Sequence, residues 1–173
     1  ETGLRLTLSC ADLPKSDLFS KSDPMVGVFV RKEDGSHAYV GQTERIKNNH
    51  DPTFTKTVNV SYAKERAGES VWLRVYDADD DNKVEEKNLL GECYVSMSEL
   101  AANGGERRIA LTKRNKDGKA EAVTGADDKP SMVIVRASRV AAGAATRDMP
   151  VNSGAVRRAC LLYTSPSPRD MSA

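Results

Sequence analysis

"LRLTLSCADLPKSDLFSKSDPMVGVFV" (residues 4–30) decides how the chain is read. Its first seven residues alternate. Leu4, Leu6, Leu8 and Cys10 share one face and Arg5, Thr7 and Ser9 the other, the period of a half-buried strand. Its last six are apolar on both faces, as a strand inside a sheet requires. Between them runs a polar loop with two aspartates, Asp17 and Asp23, and with Leu18 and Phe19 exposed between the two.

The strand–loop–strand unit repeats along the chain. Residues 37–45 follow the hairpin dipeptide Asp34-Gly35, and residues 54–62, with Val58 and Val60 on one face, follow Asp51-Pro52. In residues 70–77, Val71, Leu73 and Val75 alternate with Trp72, Arg74 and Tyr76, of which Trp72 and Tyr76 read as outer-face packing residues. Residues 89–97, 106–112 and 131–138 continue the pattern, and helical hints are confined to 63–68 and 98–102. The expected fold is all-β: an eight-stranded antiparallel sandwich with short helical turns. A parallel α/β sheet is excluded for want of crossover helices.

Lys plus Arg number 26 and Asp plus Glu 25, so bulk charge does not point to nucleic acid. No apolar run reaches the roughly 20 residues that span a bilayer, so any membrane contact is expected to be peripheral. The N-terminus has neither the basic nor the apolar region of a signal peptide and reads as the start of a fragment. Three cysteines without a framework spacing favour a reduced, cytosolic setting. The domain is expected over residues 1–140. Residues 141–159 lose all periodicity and read as a disordered linker. Residues 160–173, with "CLLYTSPSPRD", resemble an in-frame translation of a sequencing adapter and are not expected to be natural sequence. Residues 1–140 hold 22 basic and 23 acidic residues, a formal charge of −1.

The acids are not spread evenly. "VYDADDDNKVEEKNLLGE" (75–92) gathers Asp77, Asp79, Asp80, Asp81, Glu85 and Glu86 in one loop. Like charges so close repel, and a solvated turn tolerates them at some cost. A hard divalent cation removes that cost, and calcium takes six to eight oxygens at about 2.3–2.6 Å from such loops. No His/Cys set favours zinc or copper. An EF-hand register from Asp77 puts Asn82 at the glycine position and Asn88 at the bidentate glutamate position, between strands instead of helices, and so fails.

"ADLPKSDLFSKSDPMV", "NNHDPTF", "VWLRVYDADDD" and "NLLGECYV" occur in the order that resembles a C2 domain, the calcium-dependent phospholipid-binding sandwich. Within that group, "DLFSKSDP", "VGQTERIKNNHDPTF" and the long loop before "LLGE" are most similar to copines. The resemblance covers roughly residues 4–140. It implies Asp17 and Asp23 as calcium ligands of the first loop and Asp77 and Asp79 as ligands of the third, with two ions. The fifth ligand position, three residues before Gly91, is Asn88 here. Its amide oxygen coordinates without charge, leaving Glu85, Asp80 or Asp81 as substitutes; the Leu18 backbone carbonyl is a further candidate.

The resemblance also implies partners. Anionic phospholipid such as phosphatidylserine would meet Leu18, Phe19, Lys83 and Val84 at the loop tips. Two bound ions would carry the domain from −1 to +3, an electrostatic switch. Arg31, Lys32, His37, Arg45 and Lys47 form a possible basic face, with Lys32, Arg45 and Lys47 the candidate phosphoinositide contacts, although scattered solvated cations give the same pattern. The implied setting is cytoplasmic, with movement to membranes when calcium rises. The rival reading is a calcium-independent protein–protein module, and a third is the targeting domain of a larger enzyme. Copines continue with a second such domain and an integrin-like domain, neither of which is visible in residues 141–159. No nucleophile motif or phosphate-cradling loop suggests catalysis within the chain.

Overall fold

The alternation in β1 (Thr2–Ala11) is realised directly: Leu4, Leu6, Leu8 and Cys10 are all buried. The computed structural model describes residues 2–15, 22–78, 84–102 and 105–141. β2 (Pro24–Arg31) and β3 (His37–Gln42) form a hairpin closed at Asp34-Gly35, where Gly35 adopts φ +88° and Asp34 accepts the N–H and hydroxyl of Ser36. β4 (Val58–Tyr62) and β5 (Ser70–Asp77) flank a 3-10 turn at Lys64–Arg66. A second 3-10 turn, Glu86–Asn88, leads into β6 (Leu89–Ser96), which runs straight into the short helix α1 (Met97–Ala102). β7 (Glu106–Ala110), β8 (Thr112–Arg114), β9 (Ala120–Ala122) and β10 (Met132–Ala141) complete the chain's described order.

Two antiparallel sheets result, β4-β1-β10-β7 and β3-β2-β5-β6-β8-β9. Their inner faces supply a core that includes Leu6, Leu8, Val28, Val30, Leu73, Val75, Val133 and Val135. Each such side chain contributes about 1.5–3 kcal/mol through burial. All eight expected strands are present, several of them shorter than the patterned segments. β8 and β9 are additional. Their residues are exposed on both faces or nearly so, which removes the alternation that marks a strand.

Register fixes which loops meet. β1 pairs with β10 along its whole length, from Thr2↔Ala141 to Ala11↔Met132. β2 pairs with β5 from Pro24↔Asp77 to Arg31↔Ser70. The β1–β2, β3–β4 and β5–β6 connections therefore leave from one end of the sandwich. The 32–36 hairpin, α1, the start of β1 and the finish of β10 lie at the other.

This geometry divides the basic set. Lys32 follows β2 at the far end, whereas Arg45 and Lys47 flank Ile46, whose N–H donates to the carbonyl of Pro24 at the loop end (3.0 Å). Eight strand residues at about 3.3 Å each separate the two positions by roughly 26 Å. Lys32 therefore does not join Arg45 and Lys47 in one phosphate-sized site.

Candidate metal and membrane site

The loop end is held together by backbone groups before any metal is considered. Ser22 Oγ donates to the carbonyl of Pro14, tying the two described ends of the first loop. The 43–54 segment is strapped across this end: Thr43 N–H donates to Val26 O (2.9 Å), Asn49 N–H to Ser22 O (3.0 Å) and Leu13 N–H to His50 O (2.9 Å). Thr43 Oγ1 also accepts from Val26 N–H at 2.9 Å.

Asp23 and Asp77 meet within this frame. Asp77 Oδ1 accepts the backbone N–H of Asp23 at 2.8 Å, and Asp23 Oδ1 accepts the N–H of Asn48 at 2.8 Å. The Ala78 N–H closes the set on the Asp23 carbonyl (2.9 Å). Two residues 54 apart in sequence thus stand side by side because Pro24 and Asp77 are register partners. Each carboxylate spends one oxygen on a backbone donor, so the other is what it offers a cation. These are hard oxygen donors of the kind calcium takes.

Asn88 reaches the same neighbourhood from the far side of the third loop. Its N–H donates to Glu85 O (2.9 Å) and its Nδ2 to Glu85 Oε2 (3.3 Å), which commits the amide nitrogen and leaves Oδ1 as the acceptor it can present. Asn88 and Asp77 line one concavity. Glu85 itself is partly engaged, with Lys87 Nζ 3.7 Å from its carboxylate. Among the described residues, no group of three or more His, Cys, Asp or Glu side chains could hold a metal. Asp17, Asp79, Asp80, Asp81, Leu18, Phe19 and Lys83 lie outside the described residues.

Val84 departs from the expected membrane contact. It is half-buried, and its Cγ1 lies 3.3 Å from where a Cβ on Gly27 would stand, beside the rings of Tyr76 and Phe29. The missing side chain of Gly27 leaves a shallow seat on the outer face of β2, and an apolar side chain next to it fills that seat.

Arg74, on the outer face of β5, anchors the return of the third loop. It is buried, donates to both carboxylate oxygens of Glu86 (2.5 and 2.9 Å) and to Glu92 (2.8 Å), and stacks over Trp72 at 4.3 Å. The Arg74 guanidinium holds the Glu86 carboxyl below the ordinary carboxylate range. Glu44 is also held low: burial pushes it up, but the N–H and hydroxyl of Thr55 and the N–H of Lys56 outweigh that. Groups depressed in the folded state contribute stability above their unfolded-state pKa, and that stability is lost as pH falls through the folded one. We therefore expect the midpoint of thermal unfolding to drop between about pH 5 and pH 3. Glu86→Gln should flatten that drop in calorimetry, and an unchanged pH profile in the variant would remove Glu86 from it.

Trp72 stacks with Tyr94 (5.6 Å, 4°) and touches His37 (4.2 Å) and Phe29 (5.2 Å), so the outer face carries an aromatic cluster, with Arg31 over Tyr94 at 5.3 Å. Burial and the nearby Arg31 and Arg74 push His37 below its ordinary range.

Sequence reasoning missed Asp12. It is buried at φ +50°, and its carboxylate accepts the N–H groups of Asp127 (3.0 Å) and Lys129 (2.9 Å). Its own N–H donates to Asp51 Oδ1 (2.8 Å), and its carbonyl accepts the Ser131 hydroxyl. A single aspartate in a polar stretch carries no pattern to announce this.

Comparison with known proteins gives a consistent picture. Residues 4–111 match the family model described as C2 domain. The chain is 32% identical over 116 residues to Copine-D of Dictyostelium discoideum, spanning 64% of this chain and 22% of that protein. It is 31% identical over 125 residues to Protein BONZAI 2 of Arabidopsis thaliana, spanning 68% of this chain and 21% of that protein. The chain thus spans about a fifth of the curated relatives it matches. Among solved structures, BON1-C2B aligns with a TM-score of 0.60 at 24% identity, covering 81% of this chain and 92% of that one. A C2 domain of plant Extended Synaptotagmin 1 aligns with a TM-score of 0.57 at 15% identity, covering 81% of this chain and 95% of that one. At these identities the structural matches speak to the fold.

Proposed function

The chain belongs to the C2 domain family and is copine-like within it, and from that premise we propose that it is a calcium-regulated module that binds anionic phospholipid membranes. The observation that carries this reading is the convergence of Asp23 and Asp77, 2.8 Å from backbone amide to carboxylate. Calcium would be held by these two with Asp17, Asp79 and the Asn88 amide oxygen, and would supply positive charge and open positions for lipid phosphate oxygens. The proposal is for two ions, with phosphatidylserine as the lipid and phosphoinositides or protein partners as additional ligands.

The protein's own residues prepare that event. Asp23 and Asp77 are fixed by the backbone donors of Asn48 and Asp23, so little ordering remains to be done when a cation arrives. Without the cation, the loop carboxylates repel an anionic surface. Leu18 and Phe19 are the proposed apolar contacts with the headgroup region. The reading assigns no catalysis to the domain. Cys10 and Cys93 are buried; burial pushes the Cys10 thiol well up and, with Glu92, the Cys93 thiol up to about 12, which disfavours the reactive thiolate. Among the described residues, no helix is long and apolar enough to cross a membrane. The proposed behaviour is that of a cytoplasmic protein reaching membranes when calcium rises.

Co-sedimentation with phosphatidylserine vesicles, in calcium and in chelator, tests the reading. Retention is expected only with calcium, and equal retention in both conditions overturns it. Asn88→Asp should lower the calcium concentration for half-maximal retention several-fold, because it adds a charged ligand. In chelator the same change should cost stability, since the new carboxylate faces Glu85 across the bond now made by Nδ2. An unchanged calcium requirement would place Asn88 outside the site.

A further inference from the structure

The β8–β9 hairpin joins the rest of its sheet through one register pair with β6, Glu92↔Thr112. Between the hairpin and the returning end of the third loop lies a concavity of about 550 Å³ with an apolar floor that includes Leu89, Leu90 and Val123. Its charged lining is Lys15, Lys87, Lys113 and Arg114 against Asp77 and Glu121. Both acids are already engaged: Glu121 accepts from Asn115 Nδ2, and Asp77 accepts from Asp23 N–H. Of the cations, Lys87 has a carboxylate 3.7 Å away, on Glu85, and Arg114 spends Nη1 on the carbonyl of Gly118 (2.6 Å). Lys113 has no acid within ion-pair distance among the described residues; Glu86, which it influences electrostatically, is held by Arg74. Among the described residues the lining carries four cations against two acids, a net charge of +2.

We infer that this cleft binds a phosphomonoester group without calcium, through Lys113 and Arg114 of the hairpin together with Lys15 and Lys87. A phosphomonoester carries a charge of about −1.5 to −2 at neutral pH and offers three acceptor oxygens. That matches the lining, whereas a phosphodiester brings a single negative charge. An arginine fork and a lysine point charge side by side are a suitable donor pair for such a group. Leu89, Leu90 and Val123 offer the carbon skeleton behind the phosphate an apolar contact. The group can come from a lipid headgroup that ends in phosphate or from a soluble phosphate ester. The cleft borders the proposed calcium site, sharing Asp77 and Asn88 with it, but its cationic groups are separate, so assays in chelator distinguish the two.

The test uses the domain in chelator with two vesicle populations of matched surface potential, one containing phosphatidic acid and one phosphatidylserine. Retention on phosphatidic acid is expected to exceed that on phosphatidylserine at least threefold. Lys113→Ala with Arg114→Ala should remove most of the excess, while calcium-dependent retention on phosphatidylserine changes less than twofold. Both side chains sit on an exposed hairpin, so circular dichroism should be unaltered. A parallel titration with inorganic phosphate, read by amide chemical shifts of residues 87–90 and 112–115 against chloride at equal ionic strength, identifies the source. Saturable shifts with no vesicle excess support the cleft and assign it to a soluble ligand. Absence of both shifts and excess, or an excess unaffected by the double variant, overturns the proposal.

Discussion

Asp23→Asn combined with Asp77→Asn is expected to reduce calcium-dependent retention on phosphatidylserine vesicles at least tenfold while leaving the fold unchanged. The fold survives because each asparagine keeps the oxygen that matters: Oδ1 at position 77 still accepts the N–H of residue 23, and Oδ1 at position 23 still accepts that of Asn48. On the proposed reading the site is lost because two negative charges leave the cluster that would hold the divalent cation. The comparison must be made with unfolding midpoints in chelator, where the double variant should match or slightly exceed the parent protein, since carboxylate repulsion is relieved. Retention that persists at parental calcium concentrations would separate these two aspartates from metal binding.

Asp12→Ala is expected to cost about 3 kcal/mol, the sum of two charge-assisted hydrogen bonds to backbone donors that become unpaired in a buried place. For a domain of this size that lowers the unfolding midpoint by roughly 10 °C. The residue joins three stretches: the exit of β1, the strap at Asp51 and the turn ahead of β10. Gly125 in that turn approaches so closely that a Cβ there would collide with the Asp12 carbonyl, so Gly125→Ala should destabilise comparably by another route. Denaturant unfolding of both single variants and the double checks this. Both act on one joint, so the double variant should fall well short of the sum. Full additivity would place the two effects in separate parts of the structure.

The strands were readable where one face is buried. Leu4, Leu6 and Leu8 alternate because water lies on one side of β1 only, and β2 is apolar on both faces because its outer face is covered too, by Val84 and the Tyr76 ring at Gly27. The hairpin β8–β9 was not readable by that rule, since Lys113 and Glu121 pair across two exposed faces. Its turn did carry a signal: Asp117-Gly118, with Gly118 at φ +80°, is the dipeptide that announced the turn before β3. The pairing of Asp23 with Asp77 was reachable from the order of motifs, although its mechanism, the Pro24↔Asp77 register, is a property of the folded sheet. Lys32 shows the opposite error. Proximity in sequence to the basic residues around β3 said nothing about which end of a strand roughly 26 Å long, at about 3.3 Å per residue, it would occupy. Val84 shows that an apolar residue at a loop can answer a vacancy nearby, here the one above Gly27, instead of facing outward.

The pairing of β1 with β10 over ten residues has a consequence for anything attached to the domain. Thr2 and Ala141 are register partners, so chain entering and chain leaving do so side by side, with the length of a ten-residue strand, about 33 Å, between them and the aspartates. A neighbouring module joined at either point is carried on the outboard side of the domain, clear of the docking end. If the loop end docks on a membrane as proposed, the sandwich is a spacer of fixed height: it can be spliced into a longer polypeptide without altering what its loops meet, and it sets how far above the bilayer a neighbouring module rides.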